Sequence, residues 1–151
     1  MKTDLNNLIS FSFYLGWREI TAIHKLIYGN DYTLQMHFLL ELCDSENPIK
    51  ITEISMGMNL DPSAASTLVN RMRKRGLLRR DQGKTDRRVV FITITEEGMK
   101  IKKHLRGKLE LFNRIITKGI SHADISTLQS IVFKISSNRE KQKKKNILKS
   151  V

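Results

Sequence analysis

Apolar side chains recur at helical intervals from Leu5 through Leu8, Ile9, Phe13, Ile20 and Ile23 to Ile27, with Phe11, Tyr14, Leu15 and Trp17 widening the stripe. That spacing predicts a long first helix with a broad apolar face. Gly29 and Asn30 end it, Thr33 is placed to cap a second helix, and Met36, Leu39, Leu40 and Cys43 keep the interval until Asp44, Ser45, Asn47 and Pro48. A very short strand is expected over Ile49 to Ile51, then a third helix capped by Thr52 that turns Ile54 and Met58 inward.

The best-marked helix start lies further on. Asn59 occupies a bend that usually takes glycine, and asparagine tolerates the left-handed conformation better than most residues. Asp61 is a good N-cap, and Pro62 suits the first helical position, where its missing N–H costs nothing. Ala65, Leu68, Val69 and Met72 line one face of this helix and Gly76 stops it, while Ser63, Ser66, Thr67, Asn70, Arg71, Arg73 and Lys74 occupy the rest. Leu77 to Asp81 and Val89 to Thr95 alternate as strands around a tip at Gln82 to Arg88, with Val89, Phe91 and Thr93 on one face and Val90, Ile92 and Ile94 on the other. One long helix is then expected from Thr95 to Gly119, carrying Ile101, Leu105, Leu109, Phe112, Ile115 and Ile116. Ser121 and Asp124 form a capping-box-like start for a last helix that faces Ile125, Leu128, Val132 and Ile135 inward. The fold class is mainly α (α+β): a helix-turn-helix with a β-hairpin wing, flanked by long N- and C-terminal helices.

Charge sharpens this picture because it is segregated. The 151 residues carry a formal net charge of +12. Residues 71 to 88 hold nine basic side chains against Asp81 and Asp86, a net of +7, whereas residues 1 to 70 hold four basic against eight acidic, a net of −4. An oriented basic footprint of this kind points to a polyanion. An α-helix fits the major groove of B-DNA, and small hydroxyls near its start permit close approach. Ser63, Ser66 and Thr67 are therefore candidates for base edges, Asn70 and Arg71 for positions deeper in the groove or at its wall, and Arg73 and Lys74 for phosphate oxygens. Lys84, Asp86, Arg87 and Arg88 make the hairpin tip the second candidate contact. Any one of these side chains alone would read as a solvated surface position; the combination is what points to DNA.

Asp86-Arg87-Arg88, the strand Val89 to Ile94 and the junction Thr95-Glu96-Glu97-Gly98 resemble the wing of the MarR family, with its acidic-x-Arg pattern and Leu-Thr-x-x-Gly junction. Ile94 replaces the leucine. The resemblance extends through Glu53-Ile54-Ser55, Asn59-Leu60-Asp61, Ser66 to Gly76 and Thr33-Leu34-Gln35, with Asn59 and Pro62 as departures. It implies a winged helix-turn-helix regulator in which Arg88 enters the minor groove, held by Asp86; a narrow minor groove concentrates negative potential and attracts a guanidinium. It also implies a homodimer. The expected layout is a MarR-like domain over 1–138, with dimerisation helices at about 1–30 and 96–138 and a DNA-binding lobe at about 33–95, followed by a mobile basic tail over 139–151.

Other chemistry finds little footing. His24, His37, His104 and His122 are scattered, and no phosphate loop, metalloprotease or nucleophile-elbow motif is present, so neither enzyme nor cofactor is expected. His37 and Glu41, one helical turn apart, read as a polar pair on a helix surface rather than metal ligands. Cys43, the only cysteine, sits on the apolar interval of its helix and reads as buried and inert, which also fits a reducing cytoplasm. No secretory signal is evident and no apolar run reaches the roughly 20 residues of a membrane span. The family resemblance implies a crevice for a small aromatic effector, for which Phe11, Tyr14, Trp17, His37 and Phe38 are lining candidates, but aromatic residues at helical spacing more often serve core or dimer packing, so no ligand is assigned. The expected function is a sequence-specific, double-stranded DNA-binding transcriptional regulator acting as a homodimeric repressor. The alternatives are a nonspecific architectural nucleic-acid binder and a protein-interaction adaptor on the same fold.

Overall fold

The apolar interval of the N-terminal segment becomes helix α1, Ile9–Tyr28, after a 3-10 turn at Leu5–Asn7. The structure, a computed structural model, describes residues 4–83, 86 and 88–149. Only the second half of α1 meets the core. His24 and Tyr28 are buried, and Ile20, Ile23 and Ile27 pack against the core cluster. Leu8 and Ile9, expected on the inner face, are exposed along with Tyr14, Leu15 and Trp17. Periodicity identifies the stripe but cannot say which part of it is buried.

Gly29, with φ of 79°, ends α1, and α2 spans Leu34–Leu42 with Thr33 Oγ1 accepting from the Met36 N–H at 3.3 Å. Met36, Leu39, Leu40 and Cys43 are all buried, as their spacing predicts. Strand β1, Ile49–Lys50, leads directly into α3, Ile51–Gly57. Thr52 is not its cap. The helix begins earlier because the Glu53 carboxylate reaches back to accept the Lys50 N–H at 2.8 Å, satisfying an opening donor from inside the helix.

Helix α4, Pro62–Lys74, precedes β2, Leu78–Gln82, and β3, Val90–Ile94. The three strands form an antiparallel sheet in the order β1-β3-β2, with Ile92 opposite both Ile49 and Arg80. Ile92 and Ile94 close over the core, whose most deeply buried members include Leu39, Leu40, Ile54, Val69 and Met72. Thr95 caps the next helix by accepting from the Gly98 N–H at 3.0 Å and donates its own hydroxyl to the Gly76 carbonyl at 2.7 Å. Gly98 is required there, since a Cβ would lie 2.1 Å from the Leu77 oxygen.

The single long helix expected after Thr95 is two, α5 at Glu96–Arg106 and α6 at Leu109–Ile116. Gly107 keeps a right-handed conformation, so it is not a left-handed stop. The interruption comes from Lys108, whose N–H takes the tighter bond to the Leu105 carbonyl at 3.1 Å while its Nζ reaches the Ile27 carbonyl at 3.1 Å and the Tyr28 ring. Helix α5 is tied to α2 by Lys102, which donates to the Glu41 and Cys43 carbonyls at 3.2 and 2.8 Å, and by a forked Arg106–Glu41 contact at 2.6 to 3.1 Å. Positive charge over the last carbonyls of α2 complements its dipole.

Residues 1–116 form one compact unit and residues 117–151 another. In the second, the Ser121 N–H and hydroxyl both donate to Asp124 Oδ2, and the Asp124 N–H returns a bond to the Ser121 hydroxyl, forming the expected capping box. These bonds hold the Asp124 carboxyl below its ordinary pKa. Helix α7 then runs His122–Lys149, so helix continues through most of the segment expected as a tail. Leu128, Val132 and Ile135, expected inward, are exposed, as is Phe133.

Candidate nucleic-acid interface

A short turn aims α4. The Ser55 hydroxyl donates to the Leu60 carbonyl at 2.7 Å, and the Leu60 N–H returns to the Ser55 carbonyl at 2.9 Å, which pins the turn from both sides. Asn59 has φ of 52°, the left-handed conformation its side-chain type can bear. Asp61 Oδ1 accepts from the Ala64 N–H at 2.9 Å and Pro62 opens the helix. At about 100° per residue, Ala65, Leu68, Val69 and Met72 fall within one sector, and all four are buried. Ser63, Thr67, Arg71 and Lys74 project from the opposite sector and are exposed. Ser66 and Asn70 flank that stripe half-buried, and Arg73 is exposed beside them. One helix thus has its back in the core and a small, hydroxylated and cationic front.

The hairpin supplies the second prong. Asp86 Oδ1 accepts the Arg88 N–H at 2.9 Å, while the Asp86 carbonyl accepts the Val89 N–H at 3.1 Å. Asp86 therefore fixes Arg88 through the backbone, in an Asx turn, and leaves the side chain exposed. The family resemblance implies that the aspartate holds this arginine; the bond seen here runs to the Arg88 backbone N–H. Lys84 and Arg87 lie outside the described residues. Gly83, which belongs to none of the motifs above, is buried in the turn, where a Cβ would stand 2.6 Å from the Asp86 carbonyl oxygen. No local sequence signal distinguishes it from an ordinary turn glycine.

Two exposed cations of the basic run already have partners within the fold. Arg79 pairs with Asp81 at 2.8 Å, an exposed pair worth roughly 0 to 1 kcal/mol. Arg75, at the C-terminal end of α4, donates from Nη1 to the Asp31 carbonyl and lies over the Tyr32 ring, 4.4 Å from its centre. Among the described residues, Arg71, Arg73, Lys74 and Arg80 form no ion pair, so their charges are not spent within the fold.

Two open grooves share Trp17 and Gln35 in their walls. One, of about 450 Å³, is lined by Trp17, His24, Gly29, Tyr32, Thr33 and Gln35 among others. The second, about 550 Å³ and more apolar, runs past Phe38, Leu42 and Leu60. Of the expected lining aromatics, Trp17 and Phe38 take part; Phe11 and Tyr14 stack on each other instead, at 6.1 Å between ring centres. His37 is only 2 % exposed, which corrects its placement on a helix surface. Its ring packs with those of His24, Tyr28 and Phe38, the His24 and Tyr28 rings are 4.4 Å apart, and Phe112 stands edge-on to both His24 and Tyr28. Burial lowers the His24 pKa to about 4, with His37 adding to the effect. The His37 pKa is also lowered, because burial outweighs the Glu41 carboxylate 3.9 Å from Nε2. Cys43 is buried and its thiol is pushed up to about 12 by burial. Among the described residues, no group of three or more His, Cys, Asp or Glu side chains could hold a metal ion. No described helix is long and apolar enough to cross a membrane.

Residues 32–90 match the sequence model of the MarR family. The chain is 25% identical over 111 residues to the HTH-type transcriptional repressor MdtR of Bacillus subtilis, covering 73% of this chain and 71% of that protein. Its fold is similar to that of the PcaV transcriptional regulator from Streptomyces coelicolor, solved with its natural ligand, at a TM-score of 0.82 and 15% identity, covering 91% and 97% of the two chains. A MarR variant from E. coli complexed with operator DNA superposes with a TM-score of 0.75 at 17% identity, covering 89% and 99%.

Proposed function

The chain belongs to the MarR family of DNA-binding transcriptional regulators, and we propose that it acts as a homodimeric, sequence-specific repressor that occludes promoter DNA. The observation that carries this reading is α4, where Ser63, Thr67, Arg71 and Lys74 stand exposed directly opposite the buried Ala65, Leu68, Val69 and Met72. Laid in a major groove, such a helix brings hydroxyls and Asn70 toward base edges and arginines toward phosphates. Arg88, set by the Asp86 turn, then reaches the neighbouring minor groove.

Apolar side chains exposed in each unit support dimerisation. Leu8, Ile9, Trp17, Leu111 and Ile115 are exposed in the first unit, and Leu128, Val132 and Phe133 in the second. Patches of this kind favour a second copy as cover. Two recognition helices about 34 Å apart would engage successive major grooves of a roughly palindromic site. Repression is the role named for the Bacillus subtilis relative. The grooves at Trp17 support binding of a small-molecule effector, as in the ligand complex of PcaV. A regulator of this kind works without catalytic chemistry and resides in the cytoplasm with its DNA.

Selection of duplexes from a random pool tests the reading directly. Enrichment of a two-fold-related motif, bound by a dimer in sedimentation analysis, is the expected result. Arg71→Ala and Arg88→Ala should each weaken binding and flatten the slope of log affinity against log salt by about one for each phosphate no longer neutralised. No enrichment, with equal affinity for every duplex, would identify a nonspecific architectural binder. No duplex affinity at all would favour an adaptor.

A further inference from the structure

Arg75 shares its basic run with Arg71 and Arg73, and charge alone would assign all three to the polyanion. Its guanidinium is already engaged. Nη1 donates to the Asp31 carbonyl oxygen and lies 3.9 Å from Met36 Sδ, and the planar group covers the Tyr32 ring at 4.4 Å. Asp31 and Tyr32 belong to the loop joining α1 to α2, and Met36 lies in the first turn of α2. Arg75 is the C-cap of α4. A carbonyl and a ring face sharing one flat cation is an arrangement that suits arginine rather than lysine.

The rest of α4 explains why such a tie matters. Its buried stripe ends at Met72, after which Arg73, Lys74, Arg75 and Gly76 are exposed until Leu77 returns to the core. The stripe fixes the depth of the helix but leaves its last turn without an apolar anchor. We propose that Arg75 is a positioning residue, not a phosphate ligand: it straps the C-terminal end of the recognition helix to the Asp31–Tyr32 loop and sets the angle at which Arg71 and its neighbours meet DNA. This role rests on the DNA-binding reading above. Tyr32 also lines the groove of about 450 Å³ together with Gly29, Asn30 and Thr33. One ring thus belongs both to the groove wall and to the seat of the strap, so a molecule occupying the groove would reach the recognition helix through Tyr32 and Arg75.

The test is a double-mutant cycle on duplex affinity, using full-length protein and a duplex selected by the wild type, at a temperature well below the melting midpoint of every variant. Arg75→Ala, Tyr32→Leu and the double variant are titrated across a salt series, with Arg71→Ala as the reference for a phosphate contact. Arg75→Ala and Tyr32→Leu should each weaken binding by about three- to tenfold with the wild-type salt slope, and the double variant should be no weaker than the stronger single. Arg71→Ala should lower the slope. A reduced slope for Arg75→Ala would make it a phosphate ligand, and additive losses would make the two residues independent; either overturns the proposal. Lowered melting midpoints with unchanged affinity would leave only a structural role and overturn it as well. If the wild type itself selects no duplex, the DNA-binding reading fails first and this role with it.

Discussion

Removing the Asp86 side chain sets two effects of opposite sign against each other. Asp86→Ala deletes a negative charge beside a surface meant for a polyanion, which by itself strengthens binding. At about 8 Å from a phosphate in water the Coulomb gain is roughly 0.5 kcal/mol, and screening at physiological salt leaves about 0.2. The same change removes the 2.9 Å bond from the Arg88 N–H. A net contribution of about 1 kcal/mol is typical for such a bond, and its loss lets the wing leave the geometry that presents Arg88, so apparent affinity falls with the fraction of wings still in place. Geometry wins by about 0.8 kcal/mol, or roughly fourfold per wing and about fifteenfold for the two wings of a dimer. Asp86→Asn discriminates further. The amide oxygen keeps the Asx turn while the charge is gone, so this variant should bind as well as the wild type or slightly better. Fluorescence anisotropy with a selected duplex reads both variants directly. Equal or tighter binding by Asp86→Ala would refute the reasoning, because Arg88 would then need no turn to hold it.

Gly83→Ala should distort the same wing, since its Cβ would meet the Asp86 carbonyl oxygen at 2.6 Å; weaker duplex binding with little change in melting temperature is expected, and wild-type binding would show that the turn gives way without cost. Asp61→Ala removes the cap on the Ala64 N–H and should cost about 1 kcal/mol in urea denaturation, with Asp61→Asn close to the wild type. His24 should make the fold acid-sensitive. Its folded pKa of about 4 lies below the ordinary 6.5, so the unfolded chain takes up the proton first as pH falls. The stability it contributes is complete above about 6.5 and is lost progressively down to about 4, by at most about 3 kcal/mol. Urea midpoints at several pH values should show this fall in the wild type and a flatter profile in His24→Leu; identical profiles would contradict it.

Most of the winged lobe is legible in the sequence because its signals are local. Asp61 and Pro62 mark a helix start whatever surrounds them, and the interval of Ala65, Leu68, Val69 and Met72 names the buried side without knowledge of the partner. Strands β2 and β3 lie within a residue of their expected limits for the same reason. What escapes depends on groups distant in sequence. Lys108 interrupts the helix after Arg106 by reaching Ile27, and nothing near position 108 announces that. Arg75 resembles its basic neighbours until the loop at Asp31 and Tyr32 comes beside it. A histidine one turn from a glutamate usually lies on a surface; His37 is instead buried, with the His24 and Tyr28 rings of α1 packed against it. The exposed flanks of α1 and α7 are a different matter. Their apolar interval is real as a pattern, but a pattern cannot tell intramolecular cover from a partner's.

Nine basic residues within 71 to 88 would be expected to burden the fold through mutual repulsion. The lobe relieves this by giving some of them internal work. Arg79 is neutralised by Asp81, and Arg75 sits on a carbonyl and an aromatic face. Arg71, Arg73 and Lys74 remain exposed, where water and salt screen them and each contributes little to stability. On the proposed reading, folding and binding fall to different sides of the same thirteen-residue helix. The buried side stabilises the lobe with or without DNA, so truncating Met72 would cost about 2 to 5 kcal/mol and take function down with the fold. The exposed side can change its side chains within about 0.5 kcal/mol of stability. On that reading, such a division would let the sequence read by the helix vary through Ser63, Thr67 and Arg71 while the angle set by Asp61, Ser55 and Arg75 stays the same.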